Sequence, residues 1–476
     1  MFFSWEFWAF VAIVLLFHNV TRGRGQNAVL LVASYALYAY FDLRFLAVLI
    51  VATTVTYVAA RRLKPDSSGR RQVMVVGILF NLGVLGFFKY ANFFASTISL
   101  LLVRVGVAPN PVVLGILLPL GISFYSFRLL SYLFDVYNKR IDASASWLEV
   151  ALFVSFFPQI ASGPIERAPR FLPKLRGTRR LSQEQFTEGI TYLLLGVFYK
   201  IAIADPLVAT TGHLFDHIAA LTSADALKGM ILYSIQLYAD FAGYSAMAIG
   251  VSTWFGLPAM ENFRQPYFAN SVIDFWTRWH ISLSTWFRDY LFFPMTRSLL
   301  RRWGSKHSGK IQTTAYLVTM LLTGIWHGAN WTFAMWGLLH GLCMAIERFL
   351  AGVSSAQPID LGRNQQRLDA LLNILITQIA VASAWIFFAA PSITDAFSYF
   401  GRLLADPPTI TPGWWGTVLI PIVMLLFIDL LLAGAKTVRN FWQLRLVWRV
   451  GICTVVLLLL VLFGGVSREP FVYFRF

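Results

Sequence analysis

Long apolar runs, separated by short links rich in arginine and lysine, constrain this chain more than any other feature. Of its 476 residues, 57% are hydrophobic and only 13% are charged, whereas soluble globular chains are about 45–50% apolar and about 25% charged. A membrane-spanning helix needs about 20 mostly apolar residues, and the chain holds on the order of ten to twelve such segments. The pattern therefore predicts an all-α polytopic membrane protein.

The formal net charge of +16 is carried largely by the links, most clearly at 61–71, 167–180 and 297–310. Arginine and lysine collect in the cytoplasmic links of membrane proteins and are attracted to anionic lipid headgroups. No compact basic domain is present, so the charge argues against a nucleic acid partner. We predict that the membrane is the partner and that these three links lie in the cytoplasm.

The domain organisation expected from this pattern is a single integral-membrane domain over 1–476. It comprises N-terminal helices (1–150), a core (151–350) and C-terminal helices (351–476). The first apolar segment has no basic n-region and is predicted to be a retained membrane helix. Cys343 and Cys453 lie in apolar runs, which is typical of small buried hydrophobes. The spacing of the histidines, acids and cysteines predicts no metal site.

Two apolar regions carry residues that interrupt helices. Pro119 and Gly121 fall inside 112–134, which predicts a kink or break. Two prolines and a glycine at 157–167 predict a re-entrant turn, which a membrane tolerates where protein satisfies the freed backbone groups. Two further runs, 73–88 and 93–107, are predicted as separate segments, the second as a span or an interfacial helix.

The chemistry is expected between Arg264 and Trp336, where ionisable groups and tryptophans are concentrated. Ionisable groups at membrane depth usually face a cavity or a partner and mark function. We interpret this stretch as the wall of a reaction chamber, with His327 as its base, because a neutral imidazole can take the proton of a hydroxyl at physiological pH. The alternative is a structural histidine, hydrogen-bonded across a helix interface.

Other polar residues of the apolar sequence are also candidates. His280 could orient a substrate or bridge two segments. Asp240 is an intramembrane acid, and one of three arginines is its predicted partner. Lys200 and Asp205 are interpreted as an interfacial pair without a further role. The arginines predicted to pair with Asp240 are Arg264, Arg278 and Arg288. The candidates for lining a tunnel or positioning a substrate are Asn330, Trp326, Trp331, Asp240, Arg278, Trp279, Arg288 and Asp289.

The remaining histidines are expected to have no catalytic role. His340 is assigned to the same helix as His327 and is predicted to have a packing or interfacial role. Solvated positions near span ends or in links are predicted for the others, which are His18, His213, His217 and His307.

Several sequence motifs resemble those of the bacterial membrane-bound O-acyltransferases, most closely the branch that acetylates alginate. The resemblance covers nearly the whole chain, with small departures at Ala242, Ala246 and Arg475. The strongest matching motifs are Glu261–Tyr267, Asp274–Trp276, Arg278–Trp286, Arg288–Tyr290 and Gly324–Trp331, and weaker ones are Phe156–Gln159, Ser162–Ile165, Gly196–Lys200, Ile203–Asp205, Gln236–Gly250 and Phe471–Phe476.

This resemblance implies a ring of membrane helices around a thin central wall pierced by a tunnel, in the bacterial inner membrane. His327 matches the catalytic histidine of the family and His280 a second motif histidine. No bound cofactor is implied. The acyl donor would be a cytoplasmic thioester, either acetyl-CoA or an acyl carrier protein. The implied partners are a periplasmic acetyltransferase resembling the SGNH hydrolases and a polysaccharide acceptor.

The expected activity is thus O-acetylation of an exported or cell-wall polysaccharide. Peptidoglycan O-acetylation and D-alanyl transfer to teichoic acid are alternatives of the same class. A transporter of lipid-linked sugars is an alternative of another class, but it predicts inverted repeats with paired broken helices, which the sequence lacks. In a non-catalytic scaffold, His327 would be dispensable.

Overall fold

The computed structural model describes residues 2–63, 69–106, 115–354, 363–435, 446–463 and 470–471, and within these ranges the regular structure is helical, without a β-strand. The α-helices are α1 Trp5–Val20, α2 Arg24–Phe41, α3 Leu43–Arg62, α4 Arg70–Arg104, α5 Ile122–Tyr137, α6 Trp147–Ser155, α7 Ala168–Phe171, α8 Gln183–Val197, α9 Asp205–Asp216, α10 Ser223–Trp254, α11 Val272–Arg278, α12 Ile281–Phe287, α13 Phe293–Trp303, α14 Ser308–His327, α15 Trp331–Ser354, α16 Arg363–Ala389, α17 Ile393–Ala405, α18 Pro412–Ala435 and α19 Leu446–Phe463. Two π-helical segments, Phe198–Ala204 and Arg288–Phe292, follow α8 and α12.

Six helical segments of the described chain are long and apolar enough to cross a membrane. Large apolar side chains such as Leu79 and Ile376 are exposed on these segments, as expected where lipid replaces water. The protein is therefore a multi-pass membrane protein. The ten to twelve membrane segments expected from the sequence included apolar runs that fold as shorter helices, such as α5 and α6. The six segments are Leu43–Arg62, Arg70–Arg104, Gln183–Asp216, Trp331–Leu350, Leu368–Ala389 and Pro412–Leu432.

The prediction of two separate segments at 73–88 and 93–107 is wrong, because the single helix α4 runs without a break through 73–88 and on to Arg104. Lys89, between the two runs, does not interrupt the helix, since lysine is a good helix former. Its Nζ donates a hydrogen bond to Ser123 Oγ at 3.2 Å. At about 1.5 Å per residue, α4 is longer than the bilayer core is thick.

The described chain divides into two compact units. The first unit comprises Met1–Leu193 and Met247–Met260, and the second comprises Leu194–Ala246 and Glu261–Phe476. The catalytic candidates all belong to the second unit.

In the first unit, the predicted helix break is confirmed at Gly121, which directly precedes α5 and has a φ of +68°. A Cβ atom there would lie 2.0 Å from the carbonyl oxygen of Ile160. Glycine is therefore required both by the left-handed backbone and by the close approach of the neighbouring segment.

The predicted turn is present as a buried non-helical segment at 156–166 that follows α6, and its re-entry into the membrane stays a prediction. The Arg128 guanidinium donates hydrogen bonds to the carbonyl oxygens of Phe153, Gln159 and Pro164 at 3.2, 3.3 and 3.1 Å. These bonds satisfy carbonyl groups around the turn, which is the condition for irregular backbone at membrane depth.

Glu166 and His18 are among the buried polar residues of the first unit. Glu166 Oε1 accepts a hydrogen bond from the Met260 N–H at 2.6 Å. Burial raises the pKa of Glu166, against the opposing effect of nearby cations such as Arg170 and Lys174. His18 packs edge-on against Phe255 and is buried, so the prediction of a solvated position is wrong for His18. His213, His217 and His307 are exposed, as predicted.

Candidate active site

The hairpin of α14 and α15 positions His327 in the second unit. A Cβ atom on Gly324 would lie 2.1 Å from the Phe333 carbonyl oxygen, and one on Gly337 would lie 2.2 Å from the Met320 carbonyl oxygen. The two helices therefore pack backbone to backbone, as small residues permit in membranes. His327 is the last residue of α14 and lies at the tip of this hairpin.

The His327 side chain is only 4% exposed and is surrounded by aromatic rings. Ring centroids lie 5.0 Å away for Trp326, 5.1 Å for Trp336 and 5.4 Å for Phe388. The next residue, Gly328, has no room for a side chain, because a Cβ atom would lie 2.0 Å from the Phe333 ring. The imidazole is thus held in a compact, mostly apolar enclosure.

His280 lies between α11 and α12, and its ring centroid is 6.3 Å from that of His327. Its backbone has a φ of +43°, a left-handed conformation that costs a non-glycine residue on the order of 1–2 kcal/mol. Backbone strain of this kind is concentrated at functional sites. The fold therefore brings together two histidines that are far apart in sequence.

Asn262 sets the orientation of His280. Its Oδ1 accepts a hydrogen bond from the Ser282 backbone N–H at 3.2 Å, and its Nδ2 donates to Ser245 Oγ at 3.1 Å. His280 Nδ1 lies 3.1 Å from the same Oδ1. Because an amide oxygen only accepts, Nδ1 must carry the hydrogen, and in the neutral ring Nε2 then carries the lone pair.

Burial lowers the pKa of His280 to about 3, because a buried ring disfavours the charged form. The ring is fully buried and packs edge-on against Phe241 at 4.6 Å. His280 is therefore neutral around pH 7.

The two candidate tryptophans before the histidines differ in position. Trp326 packs beside both histidines, with its ring centroid 6.1 Å from that of His280 and 5.0 Å from that of His327. Trp279 is fully buried and packs against Phe263 and Trp385, each at 5.0 Å. Trp279 therefore supports the backbone next to His280.

Asn330 and Trp331 lie at the start of α15. Asn330 Oδ1 accepts a hydrogen bond from the Thr332 N–H at 3.1 Å, and its Nδ2 donates to the Pro391 carbonyl oxygen at 2.9 Å. Trp331 is 54% exposed. These contacts give Asn330 a capping role at the hairpin tip and direct Trp331 outward.

The charged candidates pair with residues close to them in sequence. Arg278 Nε lies 3.0 Å from Asp274 Oδ1, and Arg288 Nε lies 2.9 Å from Asp289 Oδ1. All four side chains are partly exposed. The structure therefore does not bring Arg278, Arg288 or Asp289 against the histidine pair.

Among the described ion pairs, Asp240 pairs with Lys200, while Arg264, Arg278 and Arg288 pair with other acids, which corrects our prediction. Lys200 Nζ lies 2.7 Å from Asp240 Oδ1 and 2.7 Å from Asp205 Oδ1, and all three side chains are buried. The predicted pairing of Lys200 with Asp205 is confirmed, and both side chains are buried in protein. Lys200 belongs to a π-helical segment, a feature that is frequent at functional sites.

His340 lies on α15 and not on the helix of His327, so that prediction is wrong. Its packing role is confirmed: it is buried, and Trp276 Nε1 donates a hydrogen bond to its Nδ1 at 3.3 Å. The Trp336 ring packs against both histidines, with its centroid 5.0 Å from that of His340 and 5.1 Å from that of His327. One aromatic cluster thus extends from His340 to the histidine pair.

Sequence reasoning did not single out Asn262, Trp336 or Phe388 as site residues. The signal that could have found Asn262 was its position in Glu261–Tyr267, one of the motifs that most strongly resemble the family. Phe388 comes from α16 and carries no local signal, since only the packing of that helix places it on His327.

The site contains two adjacent buried imidazoles, and the neutral tautomer of His280 leaves Nε2 able to accept a hydrogen bond. Such groups suit proton transfer from a hydroxyl. Within the described part of the chain, no group of three or more histidine, cysteine, aspartate or glutamate side chains could hold a metal ion.

Comparison with known proteins adds to this geometry. The family model of the membrane-bound O-acyltransferase family matches residues 138–390. The chain is 36% identical to the probable alginate O-acetylase AlgI of Pseudomonas putida, over 83% of this chain and 78% of that protein. It is 29% identical to the peptidoglycan O-acetyltransferase of Helicobacter pylori, over 82% of this chain and 76% of that protein. It is 30% identical to the teichoic acid D-alanyltransferase of Bacillus subtilis, over 48% of this chain and 59% of that protein.

Proposed function

Because this chain belongs to the membrane-bound O-acyltransferase family and is a membrane O-acyltransferase, we propose that it acetylates an exported or cell-wall polysaccharide. The donor would be a cytoplasmic thioester and the location the bacterial inner membrane. The observation that carries the proposal is the buried pair of His327 and His280, with ring centroids 6.3 Å apart.

In this proposal His327 is the general base. It takes the proton of an acceptor hydroxyl as that oxygen attacks the thioester carbonyl, and the C–S bond breaks as the new C–O bond forms. The proton then passes from the imidazolium to the leaving thiolate. A thioester is already activated, so a base and close positioning supply most of the catalysis that is needed.

His280 acts as the second group of the site. With Nδ1–H held by Asn262, its Nε2 can accept a hydrogen bond from the acceptor hydroxyl or from the His327 ring. This positioning role requires the neutral ring, which burial favours. Oxyanion stabilisation is assigned to N–H donors near the pair, among which Trp326 is the nearest candidate.

The donor is acetyl-CoA or the phosphopantetheine thioester of a carrier protein, and neither would be a resident cofactor. The donor is made in the cytoplasm and the polymer lies outside, so a tunnel through the membrane would let the two meet at the histidines. A periplasmic acetyltransferase resembling the SGNH hydrolases would complete the transfer. The name of the P. putida relative supports a polysaccharide of the alginate type.

The test is acetyl transfer by the purified full chain in nanodiscs with radiolabelled acetyl-CoA, comparing wild type with His327→Asn. A matched control is His307→Asn, because His307 is exposed and far along the chain from the hairpin tip. We expect His307→Asn to transfer label normally, and His327→Asn to lose at least about a hundredfold, the usual effect of removing a general base.

The outcome also separates the alternatives. Transfer at the wild-type rate by folded His327→Asn would refute the base assignment and move the chemistry to His280 or another residue. Absence of transfer by wild type from every thioester donor would favour a scaffold or a transporter. Label from a D-alanyl carrier protein, with none from acetyl-CoA, would favour D-alanyl transfer. Label on peptidoglycan rather than on an exported polysaccharide would favour peptidoglycan acetylation.

A further inference from the structure

Helix α13, Phe293–Trp303, has no buried residue. The helices on either side of it in the chain, α12 and α14, both bury side chains in the second unit. Phe293 is 42% exposed and Trp303 is 49% exposed. Large aromatic side chains left uncovered on a helix require another environment to cover them.

The side chains of α13 are segregated around the helix axis. At 100° per residue, Phe293, Leu299, Leu300 and Trp303 fall within one face. The opposite face carries three arginines, all exposed, which are Arg297, Arg301 and Arg302. A helix with Trp, Phe and Leu on one side and arginines on the other is typical of segments that lie in the plane of a membrane interface.

The positive charge continues beyond the helix end. Lys306 and Lys310 are exposed, as is every residue from 301 to 310. Within the described chain, none of these five cations forms an ion pair, and the sequence from 291 to 312 contains no acidic residue. The patch therefore carries five uncompensated positive charges.

We propose that α13 lies in the headgroup region of the cytoplasmic leaflet and binds anionic phospholipids. The apolar face would reach the acyl boundary and the arginines would bind the phosphate groups. The aromatic residues at both helix ends favour a lipid surface over an acidic protein, since Trp and Phe anchor interfacial helices. The positive charge selects the anionic leaflet, and each cation near such a surface contributes on the order of a fivefold gain in binding.

The position of α13 in the chain gives this contact a consequence. The helix follows the segment that carries His280 and leads through a short link into α14, which ends at His327. Anchoring α13 at the interface would set the depth at which α14 enters the membrane. The inference does not depend on the identity of the donor or the acceptor.

The experiment is hydrogen–deuterium exchange of the 293–303 amides, with the full chain in nanodiscs. One set of discs contains phosphatidylcholine alone, and the other also contains phosphatidylglycerol. We expect slower exchange with phosphatidylglycerol, and loss of that difference in Arg297→Gln/Arg301→Gln/Arg302→Gln. Three charges correspond to on the order of a hundredfold in binding to the anionic surface.

The matched control is Arg22→Gln/Arg24→Gln/Arg104→Gln, which removes the same charge from exposed positions elsewhere. It should keep the lipid effect at 293–303. Equal exchange in both lipids for wild type would overturn the proposal. So would protection that appears only when an acidic carrier protein is added, since that outcome would assign α13 to the donor.

Discussion

Replacing Asn262 by leucine or by aspartate tests whether the orientation of His280 matters for acyl transfer. Leucine has nearly the shape of asparagine but no polar atoms. Aspartate keeps the acceptor oxygens and adds a negative charge. The two changes therefore separate the loss of hydrogen bonds from a change in the electrostatic environment of the ring.

The magnitude follows from the contacts of Asn262. Its Oδ1 accepts from His280 Nδ1 at 3.1 Å, from the Ser282 N–H at 3.2 Å and from Ser282 Oγ at 2.9 Å. The hydroxyl groups can rotate to other acceptors, whereas the backbone N–H cannot. Two buried donors, His280 Nδ1–H and the Ser282 N–H, then lose their partner at about 1–3 kcal/mol each, so Asn262→Leu should lower the free energy of unfolding by about 2–6 kcal/mol.

Aspartate should act on the pH dependence instead. A carboxylate beside His280 favours the imidazolium and would raise its pKa by about 1–3 units. The neutral ring of the wild type persists to about pH 3, whereas in Asn262→Asp it would be lost at a higher pH. The rate of acetyl transfer by Asn262→Asp should then fall more steeply on acidification than the wild-type rate.

The assay is single-turnover acetyl transfer between pH 5 and 8, with thermal unfolding measured in parallel. Asn81→Leu is the control for stability, because Asn81 is also buried and hydrogen-bonded through its side chain. It should lose comparable stability and keep the wild-type pH profile. Superimposable pH profiles for Asn262→Asp and wild type would refute the role of the neutral His280 ring.

Three further changes test individual contacts of the structure. Gly337→Ala places a Cβ 2.2 Å from a backbone oxygen, and should lower stability in thermal unfolding by about 1–3 kcal/mol or more. Lys200→Met leaves two buried carboxylates without their shared cation and should lower the free energy of unfolding by about 3–5 kcal/mol. The double change Lys200→Met/Asp240→Asn should lower it by less than the sum of the two single changes. Glu166 has a raised pKa in the folded protein, so its contribution to stability is full below the unfolded pKa of about 4.3 and is lost as the pH rises. Glu166→Gln should therefore remove part of the decline in unfolding temperature between pH 5 and 9.

Each of these changes has a control. Gly83→Ala meets no atom within 4 Å and should be tolerated. Arg44→Met breaks a solvent-exposed pair and should leave stability nearly unchanged. Glu184→Gln alters an exposed carboxylate and should leave the pH dependence unchanged. Strict additivity of the Lys200 and Asp240 changes, or a Glu166→Gln curve that follows wild type, would contradict the contacts described above.

Local features of the sequence were enough to predict the membrane class, the helix break and the buried turn. The breaks at Gly121 and around Pro158 depend on backbone chemistry that acts over a few residues. The concentration of histidines among tryptophans in the apolar sequence singled out His327 and His280 as candidate site residues, because ionisable groups at membrane depth are costly and usually mark function. A prediction of this kind requires only the composition of one segment and its neighbours.

Tertiary packing decided which side chains meet. Nothing local in the sequence pairs Lys200 with Asp240, places Phe388 on His327 or joins Asn262 to His280. Those contacts depend on how α10, α14 and α16 pack, which is set by the summed fit of many side chains. The arginine partners predicted for Asp240 failed for the same reason, since opposite charges in a sequence show that pairs can form but not which pairs the packing permits.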